Sequence, residues 1–303
     1  MKVLYVANHA QRNSSDDEGA IAHAFRQLGH EVVEVEERYG HKAARQGGDL
    51  LLFHKWGDHG SIPEFKCPKV FWWFDLVHWP FDQTLTRRCL NRVEWMRRIT
   101  PLVDLGFLSD GDWVDHDPGN TGKLYWLTQG ADGRIVGRDE LADKGPEILF
   151  CGISKGGGEK RVSFVEEMAH RYRGRFHHVT QGVYREDLRR LIGSAKIVVA
   201  PDSPCTARYW SNRVYNMLGF GAFLLHPYCH QLTGHYENGH DLVYYEDRHD
   251  LFDKLDHYLQ DTEQVKLDRL RVANNGLNRT QREHLYEHRV RRLLEVCHDR
   301  GLL

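Results

Sequence analysis

A glycine-rich segment with several cationic residues lies in the middle of the chain, at residues 151–161. It reads Cys-Gly-Ile-Ser-Lys-Gly-Gly-Gly-Glu-Lys-Arg and separates an apolar stretch from a helical pattern. Glycines let backbone N–H groups approach a phosphate, and the amino end of a helix adds positive potential. The spacing is not that of a Walker A motif. The residues predict a diphosphate contact, with an ordinary connecting loop as the alternative; the candidates are Gly152, Lys155, Lys160 and Arg161.

A second candidate ligand-binding segment lies between two apolar stretches within residues 195–228. Residues 197–200 are apolar and mostly β-branched, which is the pattern of a buried parallel strand, and a second apolar stretch occupies 222–225. A polar loop at 201–211 and a helical pattern at 212–218 lie between them. Ligands of open α/β sheets bind at the carboxyl ends of the strands. The sequence therefore predicts that ligand contacts come from the loop and the start of the helix.

Strands and helices alternate along both halves of the chain, which implies parallel sheets covered by helices on both sides. We predict an α/β protein of two doubly wound domains, residues 1–142 and 143–303, that meet in the polar stretch 139–147. The predicted strands are 3–6, 31–35, 50–53, 70–74, 105–108, 123–127, 148–151, 176–179, 197–200, 222–225 and 242–245. The predicted helices are 16–28, 85–99, 162–172, 185–192, 212–218, 250–259 and nearly all of 262–303.

Length and composition are those of a soluble protein with room for two domains. The chain has 303 residues, of which 41% are hydrophobic and 28% charged. No apolar run approaches the length of a membrane span, and the amino-terminal stretch is too short for a secretory signal. We therefore expect a cytoplasmic protein, located in the host cytoplasm if it is phage-encoded. The six cysteines form no CxxC pairs, so neither a disulfide framework nor a zinc site is expected.

The segment 211–225 carries a resemblance to a known family. Residues 211–216 read Ser-Asn-Arg-Val-Tyr-Asn, and residues 221–225 read Gly-Ala-Phe-Leu-Leu. This resembles the donor-binding half of GT-B glycosyltransferases, most closely the CgeB-like group related to glycosyltransferase family 4. The resemblance covers most of the chain. It implies two Rossmann-like domains facing a central cleft, with a C-terminal helical segment that packs back. The two glutamates usual in family 4 would fall on Arg208 and Asn216, so retention of anomeric configuration stays open.

The resemblance implies that the second domain binds a nucleotide sugar, most simply a UDP-sugar. Negative charge grows on the leaving phosphate as the bond to the anomeric carbon breaks, and a fixed guanidinium stabilises that charge. Arg213, at the start of a helix, is the candidate catalytic residue, with a salt bridge as the alternative. Ser211 and Asn212 bind phosphate or ribose, or cap the helix. The remaining candidate donor-binding residues are Gly182, Tyr184, Arg208, Tyr215 and Asn216.

The first domain is then the acceptor side. Residues 71–81 hold six aromatic residues around Asp75, which directly follows a predicted strand. A carboxylate there could accept the proton of an acceptor hydroxyl; the alternative is a cap or a salt bridge. His54 and His78 are the other candidates for this role, or are satisfied, partly buried histidines. The remaining candidate acceptor-binding residues are Asn8, Glu18, Trp73 and Trp79.

The helix predicted at 85–99 is rich in arginine. Five arginines accompany one acid, Glu94, between residues 85 and 100. Aromatic side chains that stack on bases, together with arginines that neutralise phosphates, are what nucleic-acid binding needs. Some phage-encoded GT-B enzymes glycosylate hydroxymethylated bases in DNA, and such a base must be flipped out of a duplex. The preferred acceptor is therefore a base such as 5-hydroxymethylcytosine; a solvated basic surface is the alternative reading of the arginines.

Cofactor requirements follow from the same resemblance. The resembled enzymes need no divalent metal, and the nucleotide sugar is a co-substrate rather than a permanently bound group. The Asp-x-Asp pairs at 110/112 and 115/117 lie in the first half and are interpreted as turn residues. A non-catalytic nucleotide-sugar-binding protein is a second hypothesis, because Asn216 replaces the usual Glu. An NAD-dependent epimerase is a third, but the loop at 8–18 contains no GxGxxG. The sugar and the oligomeric state stay open.

Overall fold

A computed structural model describes residues 1–9, 16–77, 87–115, 121–139, 145–153, 159–201 and 205–303. Of residues 87–90, 159 and 160 it describes the backbone only. Within these ranges the chain divides into two compact units. The first contains residues 1–9, 16–129 and 286–303, and the second contains residues 130–285. The predicted boundary at 142/143 lies among residues that the structure does not describe, and it stays a prediction.

Each unit is built on a parallel sheet. The first sheet has the order β2-β1-β3-β4-β5-β6 and the second has the order β11-β10-β9-β7-β8. The strands are β1 (Lys2–Ala7), β2 (Glu31–Glu36), β3 (Leu50–Phe53), β4 (Lys69–Trp73), β5 (Leu105–Leu108), β6 (Leu124–Trp126), β7 (Ile148–Cys151), β8 (Phe176–Val179), β9 (Ile197–Val199), β10 (Leu224–Pro227) and β11 (Val243–Tyr245). Every pairing is parallel. The prediction of two Rossmann-like domains is confirmed.

Helices connect the strands on both faces of each sheet. They are α1 (Asp17–Gln27), α2 (Gly40–Ala43), α3 (Arg87–Ile99), α4 (Gly111–Val114), α5 (Glu159–Arg171), α6 (Arg185–Ser194), α7 (Arg213–Gly219), α8 (Arg248–Tyr258), α9 (Glu263–Glu283) and α10 (Tyr286–Asp299). The last two form the predicted C-terminal helical segment: α9 belongs to the second unit, and α10 returns to the first. None of the described helices has the length and apolar character that crossing a membrane requires.

The cores explain why the sequences of the central strands, such as β3 and β5, are continuous apolar runs. Strands of a parallel sheet are buried on both faces, so alternation with polar residues is lost. In the first unit Trp72 packs on one face with Tyr286 of α10, whereas its neighbour Phe71 packs on the other face with Met96 of α3. Successive side chains of a strand point to opposite faces. Hence α10 supplies part of the core of the first unit.

In each sheet the order in which the chain adds strands reverses at one strand, the topological switch point. In the first unit β1 lies between β2 and β3, and in the second unit β7 lies between β8 and β9. Chain connections on the two sides of such a strand leave in opposite directions, so ligands bind beyond its carboxyl end. Candidate functional residues are therefore expected just after β1 and β3 in the first unit, and after β7 and β9 in the second.

Candidate functional site

Gly152 directly follows β7 at the switch point of the second sheet. Its φ of +156° is a conformation that favours glycine. Its N–H donates to the Val179 carbonyl at 2.9 Å, and its carbonyl accepts from His178 Nε2 at 2.7 Å. The His178 ring stacks on Phe150 with 5.0 Å between the centroids. The backbone after β7 is thus fixed by β8, as a preformed phosphate contact requires.

Arg213 reaches this same point from the start of α7. A β-carbon at Gly152 would lie 3.2 Å from Arg213 Nη2. Burial raises the pKa of the neighbouring Cys151 thiol to about 12, although the Arg213 charge acts in the opposite direction. The Arg213 N–H donates to Ser211 Oγ at 3.2 Å, so Ser211 orders the start of the helix. The structure therefore brings Arg213, whose position Ser211 helps to fix, against Gly152, which is distant from both in sequence.

Further predicted donor-binding residues follow the ends of β7 and β8. Arg161 Nη1 donates to the Ile153 carbonyl at 3.2 Å. Gly182 has a φ of +89°, and the nearby Tyr184 is about half exposed. Lys155 and the side chain of Lys160 lie outside the described residues. All of these stay predicted contacts.

Tyr215 occupies a different environment from its neighbours in the motif. Its side chain is fully buried, and its hydroxyl accepts from Trp210 Nε1 at 3.0 Å and lies 3.2 Å from His235 Nδ1. This network fixes the loop before α7 rather than presenting a polar group to solvent. Cys229 Sγ donates to the Thr206 carbonyl at 2.8 Å and anchors the same loop.

The remaining residues of this segment are partly exposed. Arg208, Asn212 and Asn216 are all half-buried. The predicted donor contacts of Tyr215, Arg208, Asn212 and Asn216 stay predictions.

Asp75 of the first unit lies just past β4, as predicted. Its Oδ2 pairs with Lys55 Nζ and, at 3.1 Å, with Arg92 Nη2. Arg92 Nη1 also donates to the Leu76 carbonyl at 2.5 Å. Lys55 and Arg92 are absent from the predicted site residues, although Lys55 directly follows the candidate His54. Arg92 is therefore not one of the solvated arginines that the alternative interpretation of this helix assumes.

His54 is enclosed in the first unit. Its Nδ1 donates to the Trp72 carbonyl at 2.6 Å, and its Nε2 accepts from the Tyr5 hydroxyl at 2.5 Å. Burial lowers the pKa of His54 to about 3, and the charge of Lys55 lowers it further. The ring is consequently neutral over the physiological pH range and orders the ends of β3 and β4. A contact between His54 and an acceptor stays a prediction.

Glu18 lies in the first turn of α1, beyond the end of β1. Burial raises the pKa of its carboxyl to about 7, and the charges of Asp17 and Asp16 act in the same direction. Lys55 acts in the opposite direction. A carboxyl with this pKa exchanges a proton near neutral pH, which is the property of a general acid or base. The structure thus offers a second titratable carboxylate besides Asp75.

The remaining predicted acceptor residues have varied environments. Trp73 is almost fully buried, packs against the tilted ring of Trp95 at 4.7 Å between centroids, and has Lys55 Nζ 5.3 Å from its ring. Asn8 is half-buried after β1. His78 and Trp79 lie outside the described residues.

Asp110 is a helix-capping residue, as its interpretation as a turn residue implies. Its Oδ1 accepts from the Trp113 N–H of α4, and its Oδ2 accepts from the Val77 N–H at 2.8 Å. In the part of the chain that the structure describes, no three His, Cys, Asp or Glu side chains are grouped as a metal site would require. Metal-independent catalysis stays a prediction.

Comparisons with known proteins agree with this architecture. Residues 158–295 match the family model described as "Glycosyl transferase-like". No curated protein matches the chain in sequence at a significant level. Sucrose-phosphate synthase from Thermosynechococcus elongatus superposes with a TM-score of 0.73 at 12% identity, over 99% of each chain.

Two structures of nucleotide complexes are also similar. HepE from Anabaena in complex with UDP-glucose has a TM-score of 0.67 at 10% identity, over 99% of this chain and 100% of that one. An alpha-glucosyltransferase (AGT) in complex with UDP has a TM-score of 0.56 at 11% identity, over 97% and 98%. The chain therefore has the GT-B fold of glycosyltransferases. The narrower assignment to the CgeB-like group stays a prediction.

Proposed function

We propose that this protein is a glycosyltransferase that takes a sugar from a UDP-sugar and transfers it to an acceptor hydroxyl. The observation that carries the proposal is the position of the Arg213 guanidinium against Gly152, at the carboxyl end of β7. Arg213 belongs to the stretch that matches the glycosyl transferase-like model. The UDP and UDP-glucose complexes of structures with this fold support a uridine nucleotide as the donor.

In this reaction the second unit binds the nucleotide sugar and stabilises the charge of the leaving diphosphate. The bond between the anomeric carbon and the diphosphate oxygen breaks, and UDP leaves with the electron pair. A new bond forms between the anomeric carbon and the acceptor oxygen, whose proton is released. Arg213 stabilises the charge that grows on the leaving diphosphate, and the constrained backbone of Gly152 offers close approach. Neither a permanently bound cofactor nor a metal enters this scheme.

The first unit supplies the groups for the acceptor hydroxyl. Asp75 is the predicted proton acceptor, and its pairing with Lys55 and Arg92 fixes the carboxylate in one place. Glu18, whose pKa of about 7 results mainly from burial, is the alternative proton acceptor. Because burial raises the pKa of Glu18 to about 7, a role of Glu18 as proton acceptor predicts a rate that rises with pH near neutrality.

The acceptor that we propose is a hydroxymethylated base such as 5-hydroxymethylcytosine in DNA. Arginines on the surface of the first unit support it: Arg97 of α3 is exposed, and in the described part of the chain it has no carboxylate partner. The alternative acceptor is a glycan or a small metabolite. A non-catalytic nucleotide-sugar-binding protein is the second candidate function, because Asn216 stands where related enzymes usually carry Glu.

One incubation separates these possibilities. The protein is mixed with UDP-sugars and either hydroxymethylcytosine-containing or unmodified DNA, and mass spectrometry follows both the base and the nucleotide. A hexose-sized gain confined to the hydroxymethylated base, unchanged by a chelator, is the expected result. Release of UDP without DNA modification would move the acceptor to a glycan or a metabolite. Binding of UDP without release from any donor would contradict the glycosyltransferase and favour the binding protein.

A further inference from the structure

A cluster of exposed cationic side chains surrounds one exposed tyrosine in the segment that follows β2. We call it the basic surface, and it consists of Arg38, Tyr39, His41, Lys42 and Arg45. The Arg38 guanidinium carbon lies 5.1 Å from the Tyr39 ring centroid, and Lys42 Nζ lies 5.0 Å from it. Tyr39 is 46% exposed, which is unusual for a large aromatic side chain in this protein. Cations and an aromatic ring are thus presented together to solvent.

These cations are not neutralised within the described structure. In that part of the chain, no carboxylate lies within ion-pair distance of Arg38, Lys42 or Arg45, whereas Arg26 and Lys69 of the same unit each have one. The neighbouring Glu37 makes no ion pair with these cations in the described part of the chain; burial raises the pKa of its carboxyl, and the charge of Lys55 acts in the opposite direction. Unpaired cations on a protein surface are the electrostatic footprint of a polyanion partner.

The segment is also held in a fixed position. Gly40 is buried against the Trp56 indole so tightly that a β-carbon there would lie 2.3 Å from Trp56 Cζ2. Trp56 and Ala43 belong to the hydrophobic core. Lys2 Nζ donates to the Gln46 carbonyl at 3.0 Å and adds one more cation at the end of the segment. The buried side of the segment therefore positions the exposed side chains.

The basic surface adjoins the acceptor residues of the first unit. Trp56, on which the segment packs, directly follows Lys55, and Lys55 pairs with Asp75. The charge of Lys55 also reaches Glu37, next to Arg38. A long acceptor that presents one hydroxyl near Asp75 would extend over the basic surface, whereas a small metabolite would not.

We infer that the basic surface binds the phosphodiester backbone of a single nucleic-acid strand, with one base stacked on Tyr39. The inference rests on the proposed function, because it names the acceptor of the same site. Phosphates account for the unpaired cations, and bases supply flat faces for an exposed aromatic ring. An acidic polysaccharide would satisfy the cations but does not need a base-stacking platform.

The test is the salt dependence of binding to a fluorescent single-stranded oligodeoxynucleotide, measured by anisotropy. The triple variant Arg38→Gln/Lys42→Gln/Arg45→Gln removes three phosphate contacts. Each contact contributes about 0.7 to the slope of log affinity against log salt, so we expect the slope to fall by about 2. Tyr39→Ser should weaken binding by about 5- to 150-fold, the range for one stacked base, with little change of slope.

The matched control is Arg173→Gln/Lys266→Gln/Arg291→Gln, which removes the same charge from scattered exposed positions. The inference is overturned if this control lowers the slope as much as the basic-surface variant does. It is also overturned if Tyr39→Ser has no effect while dextran sulfate competes fully, since the surface would then fit an acidic polysaccharide.

Release of UDP from a UDP-sugar is followed in the same samples. Because the substituted side chains are exposed, all variants should retain the thermal unfolding temperature and, at a saturating concentration of acceptor, this activity. Normal UDP release without oligonucleotide binding would overturn this inference alone. Oligonucleotide binding without UDP release would contradict only the proposed function.

Discussion

The Arg213 guanidinium fills the space beside the α-carbon of Gly152, so that a methyl group on residue 152 would lie 3.2 Å from Nη2. The two residues come from different strand–helix connections of the second unit. Arg213 is held there by the start of α7, and Gly152 by its hydrogen bonds to β8. An arginine and a constrained backbone thus meet where a diphosphate is expected.

Replacing Gly152 with alanine tests this contact. A side chain at a positive φ costs about 1–2 kcal/mol, and here the methyl group would also crowd Arg213. We expect Gly152→Ala to weaken UDP binding at least about tenfold, as the loss of one charge-assisted hydrogen bond would. Isothermal titration calorimetry with UDP measures the affinity, and urea denaturation measures the stability.

Gly174→Ala is the matched control for that substitution. Gly174 also has a positive φ, +79°, but a β-carbon there would meet no atom within 4 Å. Both variants should lose stability, and only Gly152→Ala should lose UDP affinity. Equal affinity in the two variants would show that the space beside Arg213 does not matter for the nucleotide.

Removing the Arg213 guanidinium should reduce turnover more than binding. Charge develops on the leaving diphosphate only in the transition state, so we expect Arg213→Ala to lower kcat by about 10²- to 10³-fold. Arg213→Lys should recover only part of the lost kcat, since an ammonium group lacks the planar array of N–H donors of a guanidinium. Initial rates of UDP release provide the measurement. Arg292→Ala, which removes an exposed arginine paired with Glu295, should leave kcat unchanged; a normal rate in Arg213→Ala would refute the assigned role.

Arg92 should contribute to stability much more than its neighbour Arg97 does. Arg92 donates to both the Leu76 carbonyl and the Asp75 carboxylate, whereas Arg97 is exposed on the same helix. We expect Arg92→Gln to lower the free energy of unfolding by about 1–3 kcal/mol. Arg97→Gln should change it by less than about 0.5 kcal/mol. Urea denaturation at neutral pH measures both free energies of unfolding. A similar decrease in the two variants would argue against an anchoring role for Arg92.

Glu18 should make the stability of the protein depend on pH between its two pKa values. Its folded-state pKa of about 7 lies above the ordinary 4.5, mainly because of burial. Its contribution to the free energy of unfolding is therefore largest below pH 4.5, decreases as the pH rises, and levels off above about pH 7. Because glutamine does not ionise, Glu18→Gln should remove the decrease in stability between pH 4.5 and pH 7. At pH 8 the variant should be more stable than the parent by about 1–3 kcal/mol.

The comparison must be a difference between variant and parent, because His54 has the opposite dependence. Its folded-state pKa of about 3 lies below the ordinary 6.5, so its contribution is present above pH 6.5 and is lost as the pH falls towards 3. Subtracting the two unfolding curves cancels His54 and leaves Glu18. A difference that is constant from pH 4 to pH 8 would mean that the Glu18 carboxyl is not perturbed by burial.

The fold follows from the sequence largely because the central strands of both sheets are buried on both faces, whereas the edge strands β2 and β8 are partly exposed. The strands at 50–53, 105–108, 148–151 and 176–179 have the predicted bounds, and the other strand bounds differ by up to two residues. Short apolar runs between helical patterns allow few other interpretations. The short helices α2 and α4 carry no clear periodicity, and they are missing from the prediction.

The environments of individual side chains are less accessible from sequence, because they depend on distant partners. The motif places Tyr215 among ligand-facing residues, yet its hydroxyl binds Trp210 and His235 inside the unit. His54 follows a strand end, as a site residue would, and only its contacts with Tyr5 and Trp72 reveal its burial.

The chain passes from the first unit to the second and back at two points, and the position of these points affects how such a protein can evolve. The Ala131 N–H donates to the His284 carbonyl at 2.8 Å, and Arg289 Nε donates to the Gln129 carbonyl at 3.0 Å. The chain therefore leaves the first unit and rejoins it at hydrogen-bonded neighbours, and residues 130–285 are one continuous block of coding sequence. A single recombination event could exchange that block as a cassette. If the proposed function is correct, its gene would then acquire a new donor preference, while the rest of the reading frame, with the proposed acceptor residues, is inherited unchanged.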